Sequence, residues 1–205
     1  MVTQDLDPLT LTRRLGPLLE AGEAPLETLG LDPATLRGLG FDVQGGAARI
    51  PADLERLDAA GIRARLDERA SDWLRDLEVL EVTGSTSALL NEMAGRRSVE
   101  GVVRLAELQV QGRGRRGRSW ASPYASNLAL SLGARLPQTP DLLGGFSLCV
   151  GLAVADRLST AGVPDIELKW PNDVLAQGRK IAGILIDLHR ADPGSEVVVG
   201  IGLNF

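Results

Sequence analysis

Cysteine and histidine occur once each in this 205-residue chain, and lysine only twice, although lysine and arginine together number 22. Each scarcity excludes something. A single cysteine, Cys149, cannot close an internal disulfide, and its place in an apolar helical pattern predicts a buried core thiol. A single histidine, His189, argues against a Ser-His-Asp triad and against a multi-histidine metal site. No apolar run reaches the roughly 18 residues of a membrane-spanning helix. The start, Met1-Val2-Thr3-Gln4-Asp5, lacks the basic and apolar regions of a secretory leader, so a cytoplasmic protein is expected. The two lysines, Lys169 and Lys180, fall within one short segment of a chain that otherwise uses arginine. An ammonium is a compact point charge and a guanidinium a planar fork, so a task is expected at Lys180 that arginine cannot perform.

What the chain does have is concentrated in Gln109-Val110-Gln111-Gly112-Arg113-Gly114-Arg115-Arg116-Gly117-Arg118-Ser119-Trp120. Four arginines and three glycines share the seven residues from Gly112 to Arg118. Glycine permits positive φ and lets the backbone approach a ligand closely. Arginine offers a charged fork to phosphate or carboxylate oxygens. Crowded like charges repel, so the segment is expected to be mobile when empty and to order over an anion, as a lid does. Gly112-x-Gly114-x-x-Gly117 matches the dinucleotide fingerprint in form, but Ser119-Trp120-Ala121-Ser122-Pro123 follows where a helix is required. No Gly-Lys-Ser/Thr closes it as a phosphate-binding P-loop. By itself the run reads equally well as a solvated basic turn or an RNA-binding arginine segment.

Along the chain, residues 1–68 predict a small helical domain. Leu9, Leu11, Leu15, Leu18 and Leu19 form a helical stripe, a second helix starts at Pro25, and Asp32-Pro33 opens a third. Gly45-Gly46 between two short apolar stretches predicts a hairpin, and Asp53–Leu66 reads as a further helix. From residue 69 the pattern changes. Strands are expected at 77–82, 102–110, 127–132, 166–170 and 197–203, with a hairpin of 174–175 and 180–188. Helices are expected at 88–93 and 141–161. Runs of strands with helices on one side make an α+β domain.

Two further motifs decide between the readings of the loop. Lys169-Trp170-Pro171-Asn172-Asp173 runs on to Gly178-Arg179-Lys180-Ile181-Ala182-Gly183-Ile184-Leu185, and Gly200-Ile201-Gly202-Leu203-Asn204 lies near the end. With the arginine loop, in this order and at these separations, they resemble biotin protein ligase over roughly residues 76–205. The resemblance implies a mixed or antiparallel sheet of the class II aminoacyl-tRNA-synthetase and biotin-synthetase kind. It implies biotin and ATP as substrates, Mg2+, biotinyl-5′-AMP as intermediate, and transfer of the biotinyl group to a biotin carboxyl carrier protein; it allows a homodimer. In the family a helix-rich part and a small β-barrel follow the position of Asn204-Phe205, so an incomplete and catalytically impaired catalytic domain is one expectation.

The N-terminal pattern is similar to the winged helix-turn-helix that some members carry, which raises the alternative of a biotinyl-AMP-sensing repressor. Residues 1–70 hold 8 arginines against 12 acids, a charge of −4, and the third helix is short. DNA binding needs a basic stripe, so a degenerate domain that does not bind DNA is expected. A lipoate ligase on the same scaffold fits the motifs less well.

Carried over by motif, Ser85, Thr86 and Ser87 would hold the biotin head group, Ser87 standing where the family often has asparagine. Gln109 would contact the ureido ring. Arg113, Gly114 and Arg115 would fold over biotin and its adenylate, with Arg116 and Arg118 toward the departing pyrophosphate. Trp120 would pack beside adenine. Asn172 and Asp173 would serve the nucleotide and acyl-transfer steps, and Lys180 would touch both carboxylate and phosphate. Gly183 and Gly202 would line the pocket. Lys180, Arg115, Arg118 and Asp173 are the catalytic candidates. No metal ligand is expected from the protein.

Overall fold

The computed structural model describes residues 7–143 and 145–204; Met1–Leu6, including the Met1–Asp5 start read above, Gly144 and Phe205 lie outside them. The chain opens with α1 (Pro8–Ala21), β1 (Glu23–Pro25), α2 (Leu26–Leu29), α3 (Pro33–Gly38), β2 (Asp42–Gln44) and β3 (Ala47–Arg49). Local chemistry sets each boundary. Asp7 caps α1 by accepting from the Thr10 N–H at 2.8 Å, and Asp32 caps α3 by accepting from Thr35 at 2.9 Å. Gly45 and Gly46 have φ of 61° and 81°, the two positive values a tight hairpin between β2 and β3 requires. The three-residue β1, absent from the sequence reading, pairs with β3 and gives the order β1-β3-β2.

The apolar residues of this region join the larger fold. Leu11, Leu15, Leu18, Leu36 and Phe41 share one buried cluster with Leu108, Val110 and Tyr124. Phe41 and Tyr124 stack with ring centroids 5.1 Å apart.

The stretch expected as one helix from Asp53 to Leu66 is helical only in α4 (Ala59–Ala64). Two side chains account for this. Asp58 accepts from the N–H groups of Ala60 and Gly61 and starts the helix there. The Leu57 N–H is taken at 2.6 Å by the Glu107 carboxylate and so is not available for a helical bond. A further short helix, α5 (Glu68–Trp73), follows.

The remaining elements are β4 (Asp76–Thr83), α6 (Thr86–Ala94), β5 (Val102–Gln109), β6 (Asn127–Leu136), α7 (Phe146–Thr160), β7 (Ile166–Lys169), β8 (Asp173–Ala176), β9 (Arg179–Arg190) and β10 (Ser195–Asn204). The seven strands form one sheet in the order β4-β5-β6-β10-β9-β8-β7. β4 and β5 are parallel and joined by α6; every other pairing is antiparallel. This is the mixed sheet of an α+β fold.

The helices were expected on one side, and the strand pleat places them on both. Val198 packs with Leu90 of α6, whereas Ile201 and Leu203 pack with Val150 and Val154 of α7. Residues an odd number apart on one strand point to opposite faces. α7 also starts later than expected: Pro140–Leu142 is a separate 3-10 turn, and Gly145 sits outside helical space at φ 85°. Cys149, expected in the core, is exposed, because α7 turns only part of its apolar surface to the sheet.

Glu107 supplies a test of how the segment before α4 is held. Its carboxylate is buried, and Arg56, beside the Leu57 that it binds, pairs with Glu81, which also accepts from Tyr124 Oη at 3.0 Å. Burial holds the Glu107 pKa above the usual carboxylate value, outweighing the Leu57 hydrogen bond and the Arg56 charge, which act to lower it. A raised carboxylate pKa means that ionisation opposes folding. The cost is absent below the unfolded pKa and grows as pH rises through the folded one. Glu107→Gln keeps an acceptor for Leu57 and removes the charge. The variant should melt higher than the parent at pH 8 and lose the advantage near pH 4, with about 2–4 °C for each kcal/mol recovered in a chain this long. Equal melting temperatures at pH 8 would show that the charge is not a burden.

Candidate active site

α6 begins at the sheet with three hydroxyl residues, and its first turn forms one end of a cavity of about 360 Å3. Ser85 caps the helix through Ala88 N–H at 3.4 Å and lies 3.0 Å from Ser87 Oγ, so capping and lining coexist in one side chain. Thr86 donates both its N–H, at 2.8 Å, and its hydroxyl, at 3.1 Å, to Gln109 Oε1. That fixes the Gln109 amide with its oxygen engaged and its NH2 free to donate toward a ligand carbonyl. Ser131 of β6, which the sequence reading missed, lies 2.8 Å from Thr86 Oγ1 and completes this polar end.

The other end is cationic. The arginine loop leaves β5 and returns on itself. Arg113 bridges Ser119, Gly114 N–H donates to Arg118 O at 2.7 Å, and Trp120 N–H donates to Gly112 O at 2.8 Å. The turn at its tip needs positive φ at Arg116 (57°) and Gly117 (73°). Arg113, Arg115 and Arg118 line the cavity. Arg115 reaches Asn172 Oδ1 at 3.4 Å. Asn172 in turn donates to Ile184 O at 2.9 Å and ties the β7–β8 turn to β9. Arg116 does not line this cavity; it lines a second one behind the loop.

Lys180 is the second residue of β9, one residue after the turn at Gln177-Gly178. Its ammonium is 2.7 Å from Asp173 Oδ1 and 5.4 Å from the centroid of the Trp120 ring. Trp120 lies flat on the sheet because Gly202 and Gly183 leave room for it. A Cβ on Gly202 would come within 2.4 Å of the indole, and one on Gly183 within 3.0 Å. Among the described residues the Trp120 Nε1–H is buried without a partner, so a donor stands ready for a ligand acceptor.

Fourteen of the fifteen residues singled out from sequence line this one cavity, namely Ser85, Thr86, Ser87, Gln109, Arg113, Gly114, Arg115, Arg118, Trp120, Asn172, Asp173, Lys180, Gly183 and Gly202; Arg116, expected toward the pyrophosphate, is the exception, because the positive-φ turn at the loop tip carries it away. Lys169 and the 77%-exposed Trp170 join them at the rim. The arrangement pairs hydroxyls and an amide at one end with several positive charges at the other.

A model of the biotin/lipoate A/B protein ligase family matches residues 79–204, well over half of the chain. The chain belongs to this family. This family member is 37% identical over 195 residues to the bifunctional ligase/repressor BirA of Escherichia coli, covering 90% of this chain and 59% of that protein. It is 46% identical over 153 residues to the biotin–[acetyl-CoA-carboxylase] ligase of Mycobacterium tuberculosis, covering 72% and 56%. The ligase-family chain thus spans less than two thirds of the curated relatives it matches. Among solved structures, it is similar to the biotin protein ligase from Aquifex aeolicus in complex with biotin and ATP, with TM-score 0.54, 33% identity and coverage of 64% and 53%. It is also similar to the biotin acetyl coenzyme A carboxylase synthetase from Helicobacter pylori with bound biotinylated ATP, with TM-score 0.54 and 28% identity over 63% and 61%. No helix among the described residues is long and apolar enough to cross a membrane.

Proposed function

We propose that this chain joins biotin to ATP, giving biotinyl-5′-AMP and pyrophosphate, and passes the biotinyl group to a lysine of the biotin carboxyl carrier protein of acetyl-CoA carboxylase. The observation that carries the reading is the two-ended cavity. Hydroxyls and the Gln109 amide suit a ureido ring, and the Lys180 and arginine end suits a carboxylate beside a triphosphate. In the first step a biotin carboxylate oxygen bonds to the α-phosphorus, and the bond to the bridging oxygen of the β-phosphate breaks. In the second, the carrier amine attacks the anhydride carbonyl and AMP departs. Neither step needs a protein nucleophile. The protein's contribution is to bring two anions together and to stabilise the charge that develops.

The residues divide the work accordingly. Ser85, Thr86, Ser87 and Gln109 orient the ring. Lys180 lies between carboxylate and α-phosphate, and Arg113, Arg115 and Arg118 take the phosphate oxygens. Asp173 holds Lys180 in place until the ligand competes for it. Mg2+ would be carried by the nucleotide: no three His, Cys, Asp or Glu cluster among the described residues, and Asp173 is engaged with Lys180. DNA binding forms no part of the proposal, since α3 spans only Pro33–Gly38 and residues 1–70 carry a charge of −4. The cytosol is the setting this reading implies.

The test is release of pyrophosphate by this chain on adding biotin and ATP. Release that requires biotin, with AMP formed only when the carrier is added, is the expected result. Release driven by lipoate and not by biotin, or none with either, would sink the proposal.

A further inference from the structure

Behind the arginine loop lies a second cavity, of about 410 Å3, lined by the loop itself and by Leu185 and Asp187 of β9. Leu185 and Asp187 are two apart on one strand and face the same way. Asp187 is held through one of its two oxygens. Asn91 of α6 donates from Nδ2 to Asp187 Oδ2 at 2.7 Å and to Ser87 O at 2.8 Å. His189 Nε2 lies 2.6 Å from Asn91 Oδ1, which as an acceptor requires the ring nitrogen to donate. Both N–H groups and the oxygen of the Asn91 amide are thereby engaged, and one Asp187 oxygen is oriented while the other, Oδ1, has no hydrogen-bond partner among the described residues.

Across this cavity stand the four loop arginines, none within ion-pair distance of a carboxylate among the described residues. Three of them, Arg113, Arg115 and Arg118, also line the first cavity, where ligand oxygens would claim them. Arg116 lines the second cavity and not the first, at the positive-φ tip of the loop. We propose that Asp187 is the counterion that seats the closed loop, through an Arg116–Asp187 ion pair formed when ligand anions neutralise the other three arginines. The inference deepens the proposed function and rests on it. Asp187 and Arg116 are positioning residues: they touch no reacting atom. Asn91 links the latch to Ser87, so the head-group end of the pocket and the loop share one network.

The experiment is a double-mutant cycle with two readouts. Arg116→Gln and Asp187→Asn should each raise KM for ATP by about tenfold with kcat changed less than about threefold, and the double variant should be no worse than either single. The exchanged pair, Arg116→Asp with Asp187→Arg, should recover most of the loss. Trypsin cleavage at the loop arginines should be suppressed by biotin plus ATP in the parent and not in either single variant. Asp187→Asn keeps an acceptor for Asn91, so its melting temperature should match the parent. If it instead unfolds, the cycle is read from Arg116→Gln against the exchanged pair. Additive losses, no recovery in the exchanged pair, or a parent loop that biotin plus ATP leaves unprotected would overturn the latch. Protection without pyrophosphate release would overturn the proposed reaction and leave the latch standing.

Discussion

Lys180→Ala is expected to lower biotin-dependent pyrophosphate exchange by roughly 10²–10³-fold, the loss that follows removal of one preorganised charge-stabilising donor. The lysine stands on a rigid base, at the start of a twelve-residue strand and one residue after a tight turn. Its ammonium is held on two sides, by Asp173 at 2.7 Å and by the Trp120 face at 5.4 Å. A biotin carboxylate and an α-phosphate repel each other, and a point charge between them offsets that repulsion where solvent is partly excluded. Lys180→Arg should also fail, because a planar fork requires a different separation of its two partners. Lys169→Ala should cost much less. Lys169 lines the rim of the same cavity, a placement the sequence reading did not anticipate, but it has no ion-pair partner among the described residues to hold it. Exchange within threefold of the parent in Lys180→Ala would move the role to the loop arginines.

Gly202→Val is expected to reduce biotin affinity and exchange by about 10²-fold while leaving the fold intact. Valine suits an internal strand position, so the backbone accepts it. The side chain does not fit what lies above. A Cβ at 202 would fall 2.4 Å from Trp120 Cε2, 2.6 Å from Cζ2 and 2.7 Å from Nε1. The indole must leave the sheet, and the branched side chain then occupies the space between the sheet and any ligand. Gly200→Ala is the contrast, since its nearest neighbour, Ser87 Cβ, would lie at an ordinary 3.4 Å. Titration calorimetry with biotin, alongside circular dichroism, separates the outcomes. Biotin binding by Gly202→Val at parental strength would mean that ligand does not approach the sheet there.

Local chemistry was legible where it is local. Asp32-Pro33 announced a helix start, and Gly45-Gly46 its hairpin, because capping and turn geometry involve residues only a few positions apart. The three motifs led to one cavity because each is a strand end or turn that brings its own residues together. What was missed depends on register across the sheet. Ser131 reaches Thr86 only because β6 lies beside β5, and Leu185 stands opposite Gly200 only because β9 pairs with β10. No local pattern encodes those pairings. The same holds for Asn91, Asp187 and His189, nearly a hundred residues apart in sequence and joined by hydrogen bonds. Asp53–Leu66 misled because its leucines have helical spacing, while Glu107, fifty residues on, had taken the Leu57 N–H. Cys149 and the helices on both faces share another cause: apolar periodicity identifies a helix but not which sheet face receives it, nor how much of the helix is covered.

The cluster that joins the first fifty residues to Leu108, Val110 and Tyr124 has a consequence for how far the arginines can travel. Leu108 and Val110 enter the loop and Tyr124 leaves it, so the small N-terminal region grips both stems of the loop at once. With Trp120 N–H also fastened to Gly112 O, the span beyond that fastening is only Arg113–Ser119, held within itself by the Arg113–Ser119 bridge and the Gly114 N–H to Arg118 O bond. At about 3.3–3.6 Å per extended residue, half of that span reaches about 12 Å. A tether this short has little freedom to lose when it is pinned. The helical region at the start of the chain therefore acts on the site without touching ligand: it is the vise that sets the length of the arm.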